Sequence, residues 1–279
     1  MIALESVSHL KVLMIGDAIM DKYSFVKVTG KSAKDAILAS VITKEEEYEG
    51  GIVAAAKHIR NLVHSVDVYS HNKVVISQKF IEDAHYRKIF SVNYLEDGTV
   101  VYKNDIDIGS YDLVIVIDFG HGTMTKEMIE RVTREARFLA VNAQTNGTNH
   151  GYNLITKYPR ADYVVLDELE ARLAVREQYA PIEEVIEKLG YDRVIVTCGK
   201  SGAIGYYYGI HRSPALTDTV VDTLGAGDSF LSVTAPFACV GASMGDLLRI
   251  GNAAGAVKVG IVGHRASITR EELERKLNG

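Results

Sequence analysis

The chain has 279 residues, 47% of them hydrophobic and 24% charged, which is ordinary globular usage and ample length for a large core. A net charge of −5 and a pI near 6.0 leave no basic excess to meet a nucleic-acid backbone. Cys198 and Cys239 make no disulfide framework, no signal peptide is visible, and the apolar stretch from 231 to 240 is too broken to span a membrane; a cytoplasmic enzyme is expected.

Lys11-Val12-Leu13-Met14-Ile15 runs apolar into Gly16-Asp17 and predicts a buried first strand reaching its carboxyl end. Ligands of open α/β sheets sit at that end, so Asp17 and Asp21 are candidate acceptors for substrate hydroxyls, against the plain alternative of a turn aspartate and a solvated one. Residues 23–49 hold short β-prone runs split by Gly30-Lys31-Ser32 and do not alternate with helices, which predicts a small excursion from the main sheet. Gly50-Gly51 opens a helix whose Ile52, Ala55, Ala56, Ile59, Leu62 and Val63 form one apolar face. A short strand over 66–69 follows, and residues 86–102, with a turn signal at Glu96-Asp97-Gly98, predict a hairpin.

Residues 113–117 predict a core strand ending in Asp118-Phe119-Gly120, a triplet that lacks the glycine-rich and catalytic loops of a protein kinase. An amphipathic helix over 124–137, a strand over 138–141 and a polar loop over 142–147 come next, the loop on the rim of a site. The strand 163–166 leads through Asp167-Glu168-Leu169-Glu170 into a helix; acids favour a first turn, and two of them could also hold a hydrated hard cation. The strand 194–197 leads to Cys198-Gly199-Lys200-Ser201-Gly202, which fails as a Walker loop because Val194 stands where glycine is required. A hairpin over 203–215 precedes the most informative stretch of the chain.

That stretch is Asp222-Thr223-Leu224-Gly225-Ala226-Gly227-Asp228-Ser229-Phe230. Gly225 and Gly227 permit a tight turn and close ligand approach, and Phe230, Val233, Phe237 and Val240 recur at helical spacing behind it. Free amides and the positive dipole end make such a helix start an anion site. Asp228 at its edge suits a base that deprotonates a hydroxyl while the turn holds a phosphoryl group. A dinucleotide fingerprint is the weaker alternative, since Phe230 occupies the third glycine position. Pro236 predicts a kink in this helix. Ser243 with Asp246 and Thr269 with Glu272 are capping pairs for two last helices, the first containing the small residues of Asn252-Ala253-Ala254-Gly255-Ala256.

DTLGAGDSF resembles the DTxGAGD signature of the ribokinase (PfkB) family of carbohydrate kinases, and the resemblance extends over nearly the whole chain. It implies one ribokinase-like domain over 1–279: a three-layer α/β/α sandwich with a mostly parallel central sheet and a small β lid from roughly 23–49 and 86–102. It implies transfer of the γ-phosphoryl group of ATP to a sugar hydroxyl, with Asp228 as base and the amides of Gly225, Ala226, Gly227 and Asp228 as the anion hole. Asp17, Asp21, Gly50, Gly51 and Asp118 then fall on the sugar side. Thr197, Gly199, Lys200 and Gly202, matching a TxGxxG turn, fall with Thr223, Asn252 and Ala256 on the ATP side. Asp167 and Glu170 stand where the family has NxxE and serves Mg²⁺ through water.

Within the family the GDxxxD and GG signatures and the final NAAGAVKVG run look most like the heptose-phosphate kinase branch, whose members phosphorylate a heptose 7-phosphate and are often fused to a nucleotidyltransferase. No such domain is present, so the chain is expected to be stand-alone or one half of a fusion. Ala54 departs from the family, replacing an asparagine that contacts sugar. It keeps two alternatives open, a nucleoside kinase of the same fold and a non-catalytic sensor of sugar phosphates or nucleotides. Lys31, Lys34, Lys79, Arg87 and Lys88 lie in or beside the lid segments, where one or more of them is expected to grip a terminal phosphate. A homodimer is expected to form through the lid.

Overall fold

Along the strand Lys11–Gly16 (β1), Val12 and Met14 enter one apolar cluster while Leu13 and Ile15 enter another. A strand buried on both faces belongs inside a sheet that helices cover on both sides. The computed structural model, which describes residues 3–71, 75–95, 106–217 and 219–278, has that architecture. Ser65–Tyr69 (β4), Leu113–Asp118 (β7), Leu139–Ala143 (β8), Tyr163–Asp167 (β9) and Val194–Thr197 (β10) all run parallel to β1, in the order β10-β9-β8-β7-β1-β4. Ala203–Tyr206 (β11) and Ile210–Ser213 (β12) add an antiparallel hairpin beyond β10.

Gly51–Lys57 (α1), Ala226–Cys239 (α5), Met244–Lys258 (α6) and Arg270–Asn278 (α7) pack on one face of this sheet. Lys126–Glu135 (α2), Glu168–Val175 (α3) and Ile182–Lys188 (α4) pack on the other, completing three α/β/α layers. The α1 helix is shorter than its apolar period predicts. From His58 the backbone bonds tighten to i→i−3 spacing, yet Ile59, Leu62 and Val63 still reach the same core. The α5 helix passes through Pro236 without ending there, and Val240 N donates to Pro236 O at 3.3 Å. Among the described residues no helix is long and apolar enough to cross a membrane.

A second sheet stands apart from the first. Ala18–Lys31 (β2) pairs antiparallel with Leu38–Gly50 (β3) and parallel with Val75–Glu82 (β5), and β5 pairs with Arg87–Leu95 (β6). The β5 strand is the one that periodicity misses, because its partly apolar sequence alternates poorly and only three of its residues, Val75, Gln78 and Ile81, are buried. Its hairpin with β6 turns at Asp83–Tyr86, with Tyr86 at φ 52°, and the turn expected at Glu96-Asp97-Gly98 lies outside the described residues. Tyr23, Phe25 and Ile81 form a small core against Leu224 and Val262, seating the sheet over the glycine turn. It leaves Val41, Ile42 and Phe90 exposed.

The α5 and α6 helices meet where Gly251 faces Phe230: a Cβ on Gly251 would lie 2.1 Å from Cζ of the ring. Gly251→Ala is therefore expected to lower stability by about 1–3 kcal/mol, the range for overpacking a filled core. Urea denaturation checks this, and a midpoint equal to that of the unaltered chain would show that the helices separate freely.

Candidate active site

Gly225 caps α5 in the left-handed region at φ 73°, a conformation that favours glycine. Ala226 N donates to Thr223 O and Ser229 N to Gly225 O, so the amides of Gly227 and Asp228 head the helix without an intrahelical acceptor. A Cβ on Gly227 would meet no atom within 4 Å. Glycine at that position answers to open space in front of the turn rather than to a protein neighbour.

Two cavities share this turn. One, of about 300 Å³, is lined by Ala226, Gly227 and Phe230, and by every residue expected on the ATP side: Thr197, Gly199, Lys200, Gly202, Thr223, Asn252 and Ala256. Leu216, Val220 and Val259 make its walls largely apolar. A flat heteroaromatic ring fits such walls, with an anionic tail at the amides. Gly255, like Gly227, has only open space where a Cβ would stand. Asn252 is committed to the protein, its Nδ2 donating to Ser213 O and Pro214 O at 3.1 and 3.0 Å. These bonds position the chain after β12, while Asn252 still lines the cavity.

The other cavity, of about 200 Å³, lies between the two sheets and is lined by Asp228, Asp21, Gly51, Lys79, Gln144 and His264, among others. Asp228 is buried, and that burial pushes its carboxyl up to about 6, with the charge of Asp21 adding to the rise. His264, a hydrogen bond from Gln144 Nε2 to Oδ1, and Lys258 hold the rise in check. Asp21 is opposed by burial too, but His264 at 3.3 Å and the Lys79 ammonium outweigh it and keep its carboxyl below the usual range.

Several expected site residues sit elsewhere. Asp17 is fully buried and accepts from His121 N at 3.1 Å and Thr123 N at 3.0 Å, with His71 Nε2 at 3.3 Å. Asp118 accepts from Tyr158 Oη at 2.6 Å and Gly120 N at 3.0 Å and pairs with Lys157 at 2.5 Å. Neither lines the cavity; each shapes a loop whose neighbours, Phe119 and His121, do. A Cβ on Gly50 would collide with Asp21 Oδ2, and one on Gly51, at φ 56°, with Asp17 O. These glycines thus admit protein atoms first, and only Gly51 lines the cavity. Ala54 is buried within α1 and is not part of the lining. Of the lid cations only Lys79 lines the cavity; Lys31, Lys34 and Arg87 are exposed, and Lys88 pairs with Asp222 at 2.6 Å.

Residues 102–270 match the pfkB family of carbohydrate kinases. The chain belongs to that family. This pfkB-family chain is 22% identical to the bifunctional protein HldE of Campylobacter jejuni, over 96% of its own length and 66% of the relative's, so it spans just under two thirds of that protein. It is also 22% identical to a D-beta-D-heptose 7-phosphate kinase of Bordetella bronchiseptica, over 96% of both chains. Its fold superposes on a ribokinase of Thermotoga maritima with TM-score 0.71 and 18% identity, covering 97% and 100% of the two chains. A nucleoside kinase of Methanocaldococcus jannaschii gives TM-score 0.72 and 14% identity, covering 97% and 99%. The three-layer ribokinase-like sandwich expected from the sequence is the fold of the chain.

In this pfkB-family chain Asp167 and Glu170 form a capping box at the start of α3. Both oxygens of Glu170 are occupied, Oε2 by Asp167 N and Asn142 Nδ2 and Oε1 by Thr145 N. Burial first, and then the neighbouring Asp167 charge, push the Glu170 carboxyl up to about 8. A carboxyl whose two oxygens already accept three N–H donors leaves little room for a hard cation, so Glu170 does not fit direct metal ligation. Among the described residues no three His, Cys, Asp or Glu side chains gather as a metal cage.

Three contributors escaped the sequence reading. Gln144 lies in the loop read as a rim, but nothing local marks its reach to Asp228. His264 carries no motif, and Lys258 lies in the NAAGAVKVG run without being singled out there; folding alone brings both against Gly225. Asp222, inside the signature, joins the parts. It accepts from Tyr23 Oη at 2.9 Å, Gly263 N at 2.9 Å and Leu224 N at 3.1 Å besides its pair with Lys88. Burial opposes its charge, but Lys88 and the Gly263 and Leu224 amides outweigh that and hold the carboxyl down at about 2.

A depressed folded-state carboxyl contributes stability above its unfolded value and loses it as pH falls through the folded one. Asp222→Asn is therefore expected to cost about 2–3 kcal/mol at pH 7, with the difference from the parent chain vanishing between about pH 4 and pH 2. Urea titrations at pH 7 and pH 3 measure it, and a pH-independent difference would remove charge from the explanation.

Proposed function

We propose that the chain is an ATP-dependent kinase that phosphorylates a hydroxyl of a small sugar or sugar phosphate held in the Asp21–Asp228 cavity. The observation that carries this reading is the position of Asp228. It heads α5 beside the free amides and lines the opposite cavity from Ala226 and Gly227. A hydroxyl on one side and a terminal phosphate on the other would then meet across a single helical turn. Phosphoryl transfer asks little covalent work of a protein, so positioning and electrostatics carry it.

Asp21 and its neighbours seat the substrate and orient its hydroxyl toward Asp228. Gln144 holds Oδ1 of Asp228, leaving Oδ2 to accept the hydroxyl proton. The amides of Gly227 and Asp228 stabilise the charge on the transferring group. Tyr23, beneath the small sheet, is tied to Asp222 and keeps the lid registered over the turn. Mg²⁺, arriving with the nucleotide, would neutralise phosphate charge, and Asp167 could meet it only through water. The finer reading is a heptose 7-phosphate, suggested by the 22% identity to the D-beta-D-heptose 7-phosphate kinase of Bordetella bronchiseptica. Lys79 is the lid cation best placed to meet its phosphate, although Asp21 already holds it.

Asp228→Asn is expected to reduce kcat by ~10²–10⁴ while ATP binding stays within a few-fold, because base loss touches the transition state more than the bound nucleotide. Near-normal turnover in the variant would sink the assignment. In the parent chain kcat is expected to fall on the acid side of about pH 6, where the Asp228 carboxyl takes up its proton. A panel of sugars and their phosphates, run at two salt concentrations, identifies the substrate. ATP binding without phosphorylation anywhere on the panel would instead indicate a sensor.

A further inference from the structure

Lys258, the last residue of α6, is completely buried. Burying an ammonium is costly unless opposite charge offsets it. Its Nζ donates to Gly263 O at 2.7 Å, and one neutral carbonyl does not offset a full charge. Its Cε would lie 3.3 Å from a Cβ on Gly225, so the side chain runs directly behind the anion-binding turn. The charges of three acids from different parts of the chain favour its ammonium: Asp222 before the turn, Asp228 on α5 and Asp21 on β2. Lys88 on β6 opposes it, and so does any positive charge on His58, which stays neutral because burial holds its imidazole down at about 3. His264, beside Gly263, faces the same acids.

We propose that Lys258 is the resident cation of the phosphoryl site, acting from behind the turn to favour negative charge both on a bound phosphate and on Asp228. It is a positioning residue, since Lys258 is buried and lines neither cavity. The role rests on the kinase reading above and deepens it. A strut would need only the bond to Gly263. Here a charge is kept in the interior at the one place where the site gathers three carboxylates and awaits another anion. Burial lowers the affinity of Lys258 for its proton, and Asp222 and Asp228 work against that loss. Lys258 is in turn one of the charges that restrain the upward shift of Asp228.

The test compares Lys258→Met with Lys258→Gln, the second retaining a donor for the Gly263 carbonyl should the first fail to fold. Calorimetry with ATP and with adenosine separates phosphate from base: ATP is expected to bind ~10-fold more weakly and adenosine within about twofold of the parent chain. Titration of the labelled Asp228 carboxyl by NMR, in ligand-free protein, is expected to move up by ~1 pH unit. Equal loss for ATP and adenosine, or an unmoved Asp228 midpoint, would reduce Lys258 to a strut. If the parent chain itself binds no ATP, the kinase reading fails, and the ligand-free titration still decides the role of Lys258.

Discussion

The carboxylate of Asp222 takes no part in the chemistry proposed, yet the site has its shape only because that group is ionised and fully bonded. Its partners come from β2, β6, the glycine turn and the loop after α6. One buried anion thereby fixes the lid, the anion-binding amides and the segment bearing His264 relative to one another. Charge-assisted bonds are strong enough and directional enough to do this where apolar contacts would let the sheets slide. Its hold on Gly263 also leaves the carbonyl of that residue for Lys258.

From that anchoring follows a division of labour across the turn. The cavity at Ala226 and Gly227 is apolar and glycine-lined, offering shape and backbone amides. The cavity between the sheets is ionic, with Asp21 held between Lys79 and His264 and with Asp228 left partly frustrated by burial. A base needs a proton affinity near its working pH. Here burial and Asp21 raise that affinity, while His264, Gln144 and Lys258 cap the rise.

The sequence reading was strongest where a residue's role is local. β1, β7 and β10 are legible as apolar runs because both faces of a central parallel strand are buried. The capping pairs at α6 and α7 and the turn before α5 are legible because their partners lie three residues away. It was weakest for Asp17 and Asp118. Both stand at strand ends where a ligand is expected, and both are instead consumed by loops distant in sequence. Spacing places an aspartate at a strand end but does not say what its carboxylate faces. The lid cations fared similarly: Lys88 turns to Asp222, a partner 134 positions away.

By itself the chain thus determined its layers and the glycine turn before α5, because strands, caps and glycine turns are set by neighbours along the backbone, while the family resemblance pointed to seven of the residues that line the cavity of about 300 Å³. Tertiary structure alone decided which acids line the cavity between the sheets and which are bound up in loops, that Gln144 and His264 meet the Asp21–Asp228 pair, and that Lys258 lies behind Gly225. Those outcomes depend on electrostatic competition in a buried space, where each charge takes the nearest partner that folding delivers. Residues far apart in sequence supply those partners, and no local pattern records them.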